Sequence, residues 1–148
     1  MKKLICLVLA VCLSLSLVGC GGSAIDEMPL TDIMTTITEG VDAPATETME
    51  LTKDNFSAFL FIDYIENSEA LVAESMIGAV AHSVVLLRVD DDADVEAVAE
   101  EIKEKMDPRK WICVEAEKSE VLVKGNTILL IMSFADVTDP IVENFNAL

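Results

Sequence analysis

The sequence predicts an α+β domain, a small antiparallel sheet of three to four strands with helices packed on it, preceded by a signal peptide. Two observations lead there. Short β-rich apolar runs, His82 to Val89, Val121-Leu122-Val123 and Ile128 to Met132, mark strands. Between and around them lie segments of helical period, most clearly Val95, Val98, Ile102 and Met106. Helices and strands mixed in this order, with a hairpin near the end, suit a sheet covered by helices.

Taken from the amino terminus, Leu30, Ile33, Met34 and Ile37 recur at helical spacing, and Gly40 offers a stop, which predicts a helix near 30–39. Val41 to Glu50 carries Pro44, several threonines and no periodicity, and reads as a linker or loop. Thr52 can cap a short helix holding Phe56, Phe59 and Leu60 on one face. Residues 62–69 carry no assignable pattern, and Ala70 to Ile77 reads as a strand. His82 to Val89 is continuous enough to be a central strand. Asp90-Asp91-Asp92-Ala93-Asp94 then places N-cap candidates and negative charge at a helix start, where the helix dipole favours both. Glu101 and Lys105 add an i, i+4 pair outside that helix, and Pro108 ends it at or before Asp107. Trp111-Ile112-Cys113-Val114 reads as a short strand. Gly125-Asn126, flanked by apolar runs, reads as a tight hairpin. Asp139-Pro140 can open a last helix with proline at its first position, its apolar face made by Ile141, Phe145 and Leu148.

The amino-terminal segment is an address. Met1-Lys2-Lys3 is a positive start, and Leu4 to Val18 is apolar and uncharged, the layout of a secretory signal peptide. That stretch is shorter than the roughly twenty residues of a permanent membrane helix. Leu17-Val18-Gly19-Cys20 follows, and it resembles the lipobox of bacterial lipoproteins: an apolar pair and a small residue ahead of a cysteine. Leu17, Val18 and Gly19 would serve recognition by the signal peptidase, and the Cys20 thiolate would take a diacylglyceryl group as a stable thioether. Two acyl chains hold a protein durably where one is marginal. The chain therefore divides into a leader over 1–19, a flexible tether over 20–28 containing Gly21-Gly22-Ser23, and one domain over 29–148. The expected location is the extracytoplasmic face of the cell membrane, with the membrane as a partner through covalent lipid.

Removing 19 residues from 148 leaves 129, enough for a single core. All 27 acidic residues lie after Ile25, and Lys2 and Lys3 leave with the leader, so eight bases face 27 acids and the mature net charge is −19. Phosphate backbones repel such a surface, which argues against nucleic acid as a partner, and anionic headgroups repel it too. Cys6 and Cys12 also leave with the leader and lipid would consume Cys20, so only Cys113 remains as a thiol and no intramolecular disulfide can form. Within its apolar run, Cys113 reads as a buried small hydrophobe.

A broader resemblance rests on Phe56 to Asp63, on Ser83-Val84-Val85-Leu86-Leu87-Arg88-Val89, on the helix from Val95 to Met106, on Asp107-Pro108-Arg109-Lys110-Trp111 and on Lys124-Gly125-Asn126-Thr127-Ile128-Leu129-Leu130. These stretches resemble a family of small lipoproteins from Gram-positive anaerobes, known only as a domain of unknown function. The resemblance covers most of the mature chain and its lipobox start. It implies a cell-surface location and a single small domain, and it implies no activity.

Few residues invite chemistry. Asp90, Asp92 and Asp94, with Glu101, match calcium-loop positions 1, 3, 5 and 12, but Val95 stands where the loop needs glycine. A capped helix start explains the aspartates better, with a weak divalent-cation site as the alternative. His82 is the one histidine, and no His-Glu-x-x-His, Gly-x-Ser-x-Gly or Cys-x-x-Cys accompanies it, so it reads as a polar residue at a strand start. Arg109-Lys110-Trp111 sets two cations beside an aromatic ring and is a candidate contact for an anionic ligand or wall polymer. Phe56, Phe59, Phe61 and Tyr64 read as core. Carboxylates are too numerous for any pair to single itself out as a glycosidase site. No catalytic residue and no cofactor is implied. The functional reading is a non-catalytic binding module for a protein, wall component or small ligand; the alternatives are a small carboxylate-dependent hydrolase and a weak cation-binding module.

Overall fold

Residues 23–148 are described by the computed structural model; Leu17, Val18, Gly19 and Cys20 lie outside them. Five strands, β1 (Thr46–Glu50), β2 (Glu69–Ser75), β3 (Ser83–Arg88), β4 (Lys118–Lys124) and β5 (Thr127–Ser133), form one sheet in the order β1-β2-β3-β5-β4. Every neighbouring pair is antiparallel. Four helices, α1 (Leu30–Thr38), α2 (Phe56–Leu60), α3 (Val95–Lys105) and α4 (Ala135–Ala147), pack on it. The α+β class is as the sequence predicts, with five strands rather than three to four.

The additional strand is β1, in the segment expected to be a loop. Its sequence, Thr-Glu-Thr-Met-Glu, lacks apolar alternation because β1 is an edge strand with both faces largely in solvent, and only Met49 packs against the core. Trp111 to Val114, expected as a strand, is a loop instead. Backbone bonds from Lys110 N to Asp107 O and from Ala116 N to Pro108 O curl it back on itself, and Ile112 and Cys113 are left exposed.

The sheet is covered on both faces. On one, α1 and α4 pack Ile33, Ile37, Ile141 and Phe145 against Leu71, Val84, Leu86, Leu129 and Ile131. On the other, α2 and α3 pack Phe56, Leu60 and Ile102 against Val72, Val85, Leu87, Ile128 and Leu130. All seven residues of β5 are buried, as are Ser83 to Leu87 of β3. Alternate residues of each strand therefore feed opposite cores, which accounts for runs without polar alternation.

Helix ends find partners across the fold. Asp94 caps α3 by accepting from Ala97 N at 3.1 Å, and Glu101 and Lys105 pair on its outer surface at 2.6 Å. The Thr52 side chain does not cap α2; the Asn55 carboxamide turns back to accept from Thr52 N at 2.6 Å. α4 opens at Ala135 rather than at Asp139-Pro140, and Pro140 lies inside it. That helix survives an interior proline because Val137, Ile141 and Phe145 are fixed in the core on either side of it, and Glu117 accepts from its first amide, Ala135 N, at 3.2 Å. Asn144 of α4 donates to Ile37 O at 3.0 Å, satisfying the end of α1, and Gly40 (φ +73°) follows in the left-handed conformation that commonly closes a helix.

The flexible tether expected over 20–28 is ordered in its described part. Ala24–Glu27 form a 3-10 turn, and Ile25 is buried. Asp26 accepts from Ser23 N at 3.1 Å, Asn126 N at 2.9 Å and Thr127 Oγ1 at 3.2 Å. Arg88 donates to Ile25 O at 2.9 Å and Met28 O at 2.8 Å. This clasp sits on the β4–β5 hairpin, where Gly125 (φ +59°) takes the turn position reserved for glycine. A Cβ there would stand 2.1 Å from Asp26 Oδ2. Gly125→Ala should therefore cost about 2 kcal/mol through backbone strain and a broken clasp. A lowered urea midpoint is the expected readout, and an unchanged midpoint would show that the clasp contributes nothing.

Candidate functional site

The densest polar cluster lies where the loop after α3 meets β2 and β3, and Glu74 is its centre. Glu74 shares a face with Val72 and accepts from two members of the predicted trio: Lys110 Nζ at 2.8 Å and Trp111 Nε1 at 3.0 Å. Lys110 Nζ also donates to Ser83 Oγ at 3.1 Å and lies 4.8 Å from the centre of the Phe59 ring and 4.9 Å from that of Trp111. The Lys110 and Glu74 side chains are only 12 % and 18 % exposed. Burial pushes the Lys110 ammonium below its ordinary pKa, and the hydrogen bond and charge of Glu74 oppose that shift.

Arg109-Lys110-Trp111 is thus divided. Arg109 is in solvent, paired with Glu115 at 3.3 Å. Lys110 and Trp111 spend their donors on Glu74 and pin the loop to the sheet. Of the three candidate ligand contacts, Arg109 alone is exposed, and Lys110 and Trp111 are half-buried. Glu74 was missed, although a carboxylate at the end of Ala70-Leu71-Val72-Ala73 was a readable signal of a buried charge needing a partner.

His82 occupies the opposite face. It is buried, and its Nδ1 lies 2.7 Å from Ser133 Oγ. A nucleophile–base pair has this separation, yet Ser133 is fully buried, so no substrate reaches its oxygen, and the Glu74 carboxylate stands across the sheet. Desolvation lowers the His82 pKa below 6.5, opposed by the charge of Glu74.

A groove of about 600 Å³ opens beside the clasp, lined by Glu27, Glu50, Glu69 and Arg88 among others. Arg88 is a second charge that the sequence left unremarked at the end of an apolar strand. Its guanidinium holds the 25–28 turn, and Thr127 Oγ1 accepts from its Nε at 3.3 Å. Glu27, Glu50 and Glu69 are exposed, whereas carboxyl acids of hydrolases work in desolvated pockets.

Asp90, Asp92 and Asp94 do not converge. Asp94 caps α3, Asp90 accepts from Asp91 N at 2.8 Å, and Asp91 accepts from Asn126 Nδ2 at 2.5 Å. Among the described residues no group of three histidine, cysteine, aspartate or glutamate side chains is placed to hold a metal ion. Nor is any described helix long and apolar enough to cross a membrane. Cys113 is exposed, contrary to the buried position expected of it, because its segment loops out rather than joining the sheet. Compared with family models, curated proteins and solved structures, the chain matches none.

Two outcomes follow. Glu74→Ala strands a mostly buried ammonium and should cost about 3 kcal/mol, with Glu74→Gln milder because an amide oxygen still accepts. Equal melting of all three chains would refute the ion-pair account. For His82, a folded pKa below the unfolded 6.5 means that the unfolded chain binds more protons beneath neutrality. Its contribution is complete above about pH 7 and is lost as pH falls through 6.5 towards the folded value. The stability difference between wild type and His82→Gln should shrink over that interval, and a difference independent of pH would contradict it.

Proposed function

We propose that this chain is a lipid-anchored extracytoplasmic binding module. The observation that carries the reading is Leu17-Val18-Gly19-Cys20 at the end of an uncharged apolar leader, three residues ahead of a folded domain. Lipid on Cys20 gives an acidic domain the membrane attachment that its own charge opposes. The mature domain supplies a stable body through its two cores without disulfides. Its most buried polar clusters, around Glu74 and His82, are internally paired, so recognition falls to exposed surface rather than to a reactive pocket. The resemblance to the small lipoproteins of Gram-positive anaerobes points the same way.

Cys20→Ser tests the anchor. The chain with Cys20 intact should carry diacylglyceryl on that residue by mass and partition with membranes, whereas the variant should stay uncleaved or leave the membrane fraction. Processing and sedimentation unchanged by the substitution would overturn the proposal.

A further inference from the structure

Three large apolar side chains are exposed among the described residues, and all belong to two loops tied together through Glu74. Met76 and Ile77, 69 % and 62 % exposed, lie just beyond the end of β2; Ile112, 99 % exposed, follows Trp111, which donates to Glu74. Met76 N also bonds Ala45 O at 3.3 Å, which brings the approach to β1 to the same place. The β2–β3 loop continues as Gly78-Ala79-Val80, without charge. Around it the carboxylates of Asp42, Glu47, Asp107 and Glu117 are exposed, and none forms an ion pair with a described cation. The nearest bases are taken: Lys110 by Glu74 and Arg109 by Glu115.

This apolar tip and the start of the domain lie at opposite ends of the sheet. Ser23 and Asp26 sit on the Gly125-Asn126 turn, beside the end of β3, whereas Met76 and Ile77 precede its beginning. Six residues of β3 alone separate the ends by about 20 Å. From Cys20 to Ser23 the chain can span only about 10 Å. Lipid on Cys20 would therefore enter a membrane beside the hairpin end and not beside the tip.

We propose that the loops 75–80 and 111–113 form a docking end directed away from the membrane, and that its occupant is a protein whose apolar contact is rimmed by lysine and arginine. Charge decides between occupants. A second copy would bring an equally acidic rim against the first, and anionic lipid would be repelled in the same way. A basic rim complements the unpaired carboxylates, and an apolar centre covers Met76, Ile77 and Ile112. The direction of the docking end rests on the lipid-anchored reading; the docking surface itself does not.

The test uses the processed full chain in phosphatidylcholine nanodiscs, with an environment-sensitive dye on Cys113. The probes are an amphipathic helical peptide of leucine and lysine and its leucine–glutamate counterpart. The leucine–lysine peptide should bind and shift the dye, while the glutamate peptide should not bind. The triple variant Met76→Ser, Ile77→Ser, Ile112→Ser keeps the charge. It should bind the lysine peptide about tenfold more weakly or worse, with its melting temperature kept as the control for folding. Equal binding by wild type and variant would reduce the effect to charge alone and overturn the proposal. So would failure to bind, or dimers of the undyed chain cross-linked through Cys113. The mass of the lipid adduct is read separately. A dye buried in lipid with the adduct present counts against the orientation alone, and a missing adduct counts against the anchor while the peptide arms still report on the docking surface.

Discussion

β5 buries all of its side chains and β3 all but Arg88, on both faces, so neither strand tolerates an open side. Most antiparallel sheets leave one face to water. Here that option is closed by Val84, Leu86, Leu129 and Ile131 on one side and Val85, Leu87, Ile128 and Leu130 on the other. Helices must cover both, and the chain supplies α1 and α4 for one layer and α2 and α3 for the other. Polar residues are then pushed to the strand ends and edges. There the Asp26–Arg88 clasp and the Lys110–Glu74 pair close the two ends of the same sheet.

That constraint explains what was legible in the sequence. The central strands, α1, α3 and the hairpin announce themselves because their residues either fill a core or make a turn only glycine allows. β1 does not, since an edge strand of threonines and glutamates buries almost nothing and pattern reports burial. Pro140 misplaced the start of α4 because local preference puts proline at a first turn, whereas Val137 and Thr138, upstream of it, are already held in the core. Trp111 to Val114 has strand composition, but the indole serves Glu74 and the residues beyond it are free to leave the sheet.

The candidate site was legible only in part. Arg109, Lys110 and Trp111 stand out in a chain poor in bases, yet their roles depend on Glu74, which is 36 residues away in sequence from Lys110. Likewise, His82 meets Ser133 across 51 positions. Spacing within a segment carries no trace of such pairings. The exposed tip was hidden for the opposite reason: Met76, Ile77 and Ile112 have the composition of core residues, and only the fold sets them outside.

The clasp at the start of the domain also bears on mechanics. If force is applied through the amino-terminal segment, as it would be by the proposed anchor, the load enters at Ser23 and meets the Asp26 and Arg88 bonds before it reaches any strand. Those bonds join the segment to β3 and to the hairpin, so the sheet's two most deeply seated strands share the strain. A short turn of four residues yields first, at the cost of withdrawing Ile25 from the core under α1 and α4.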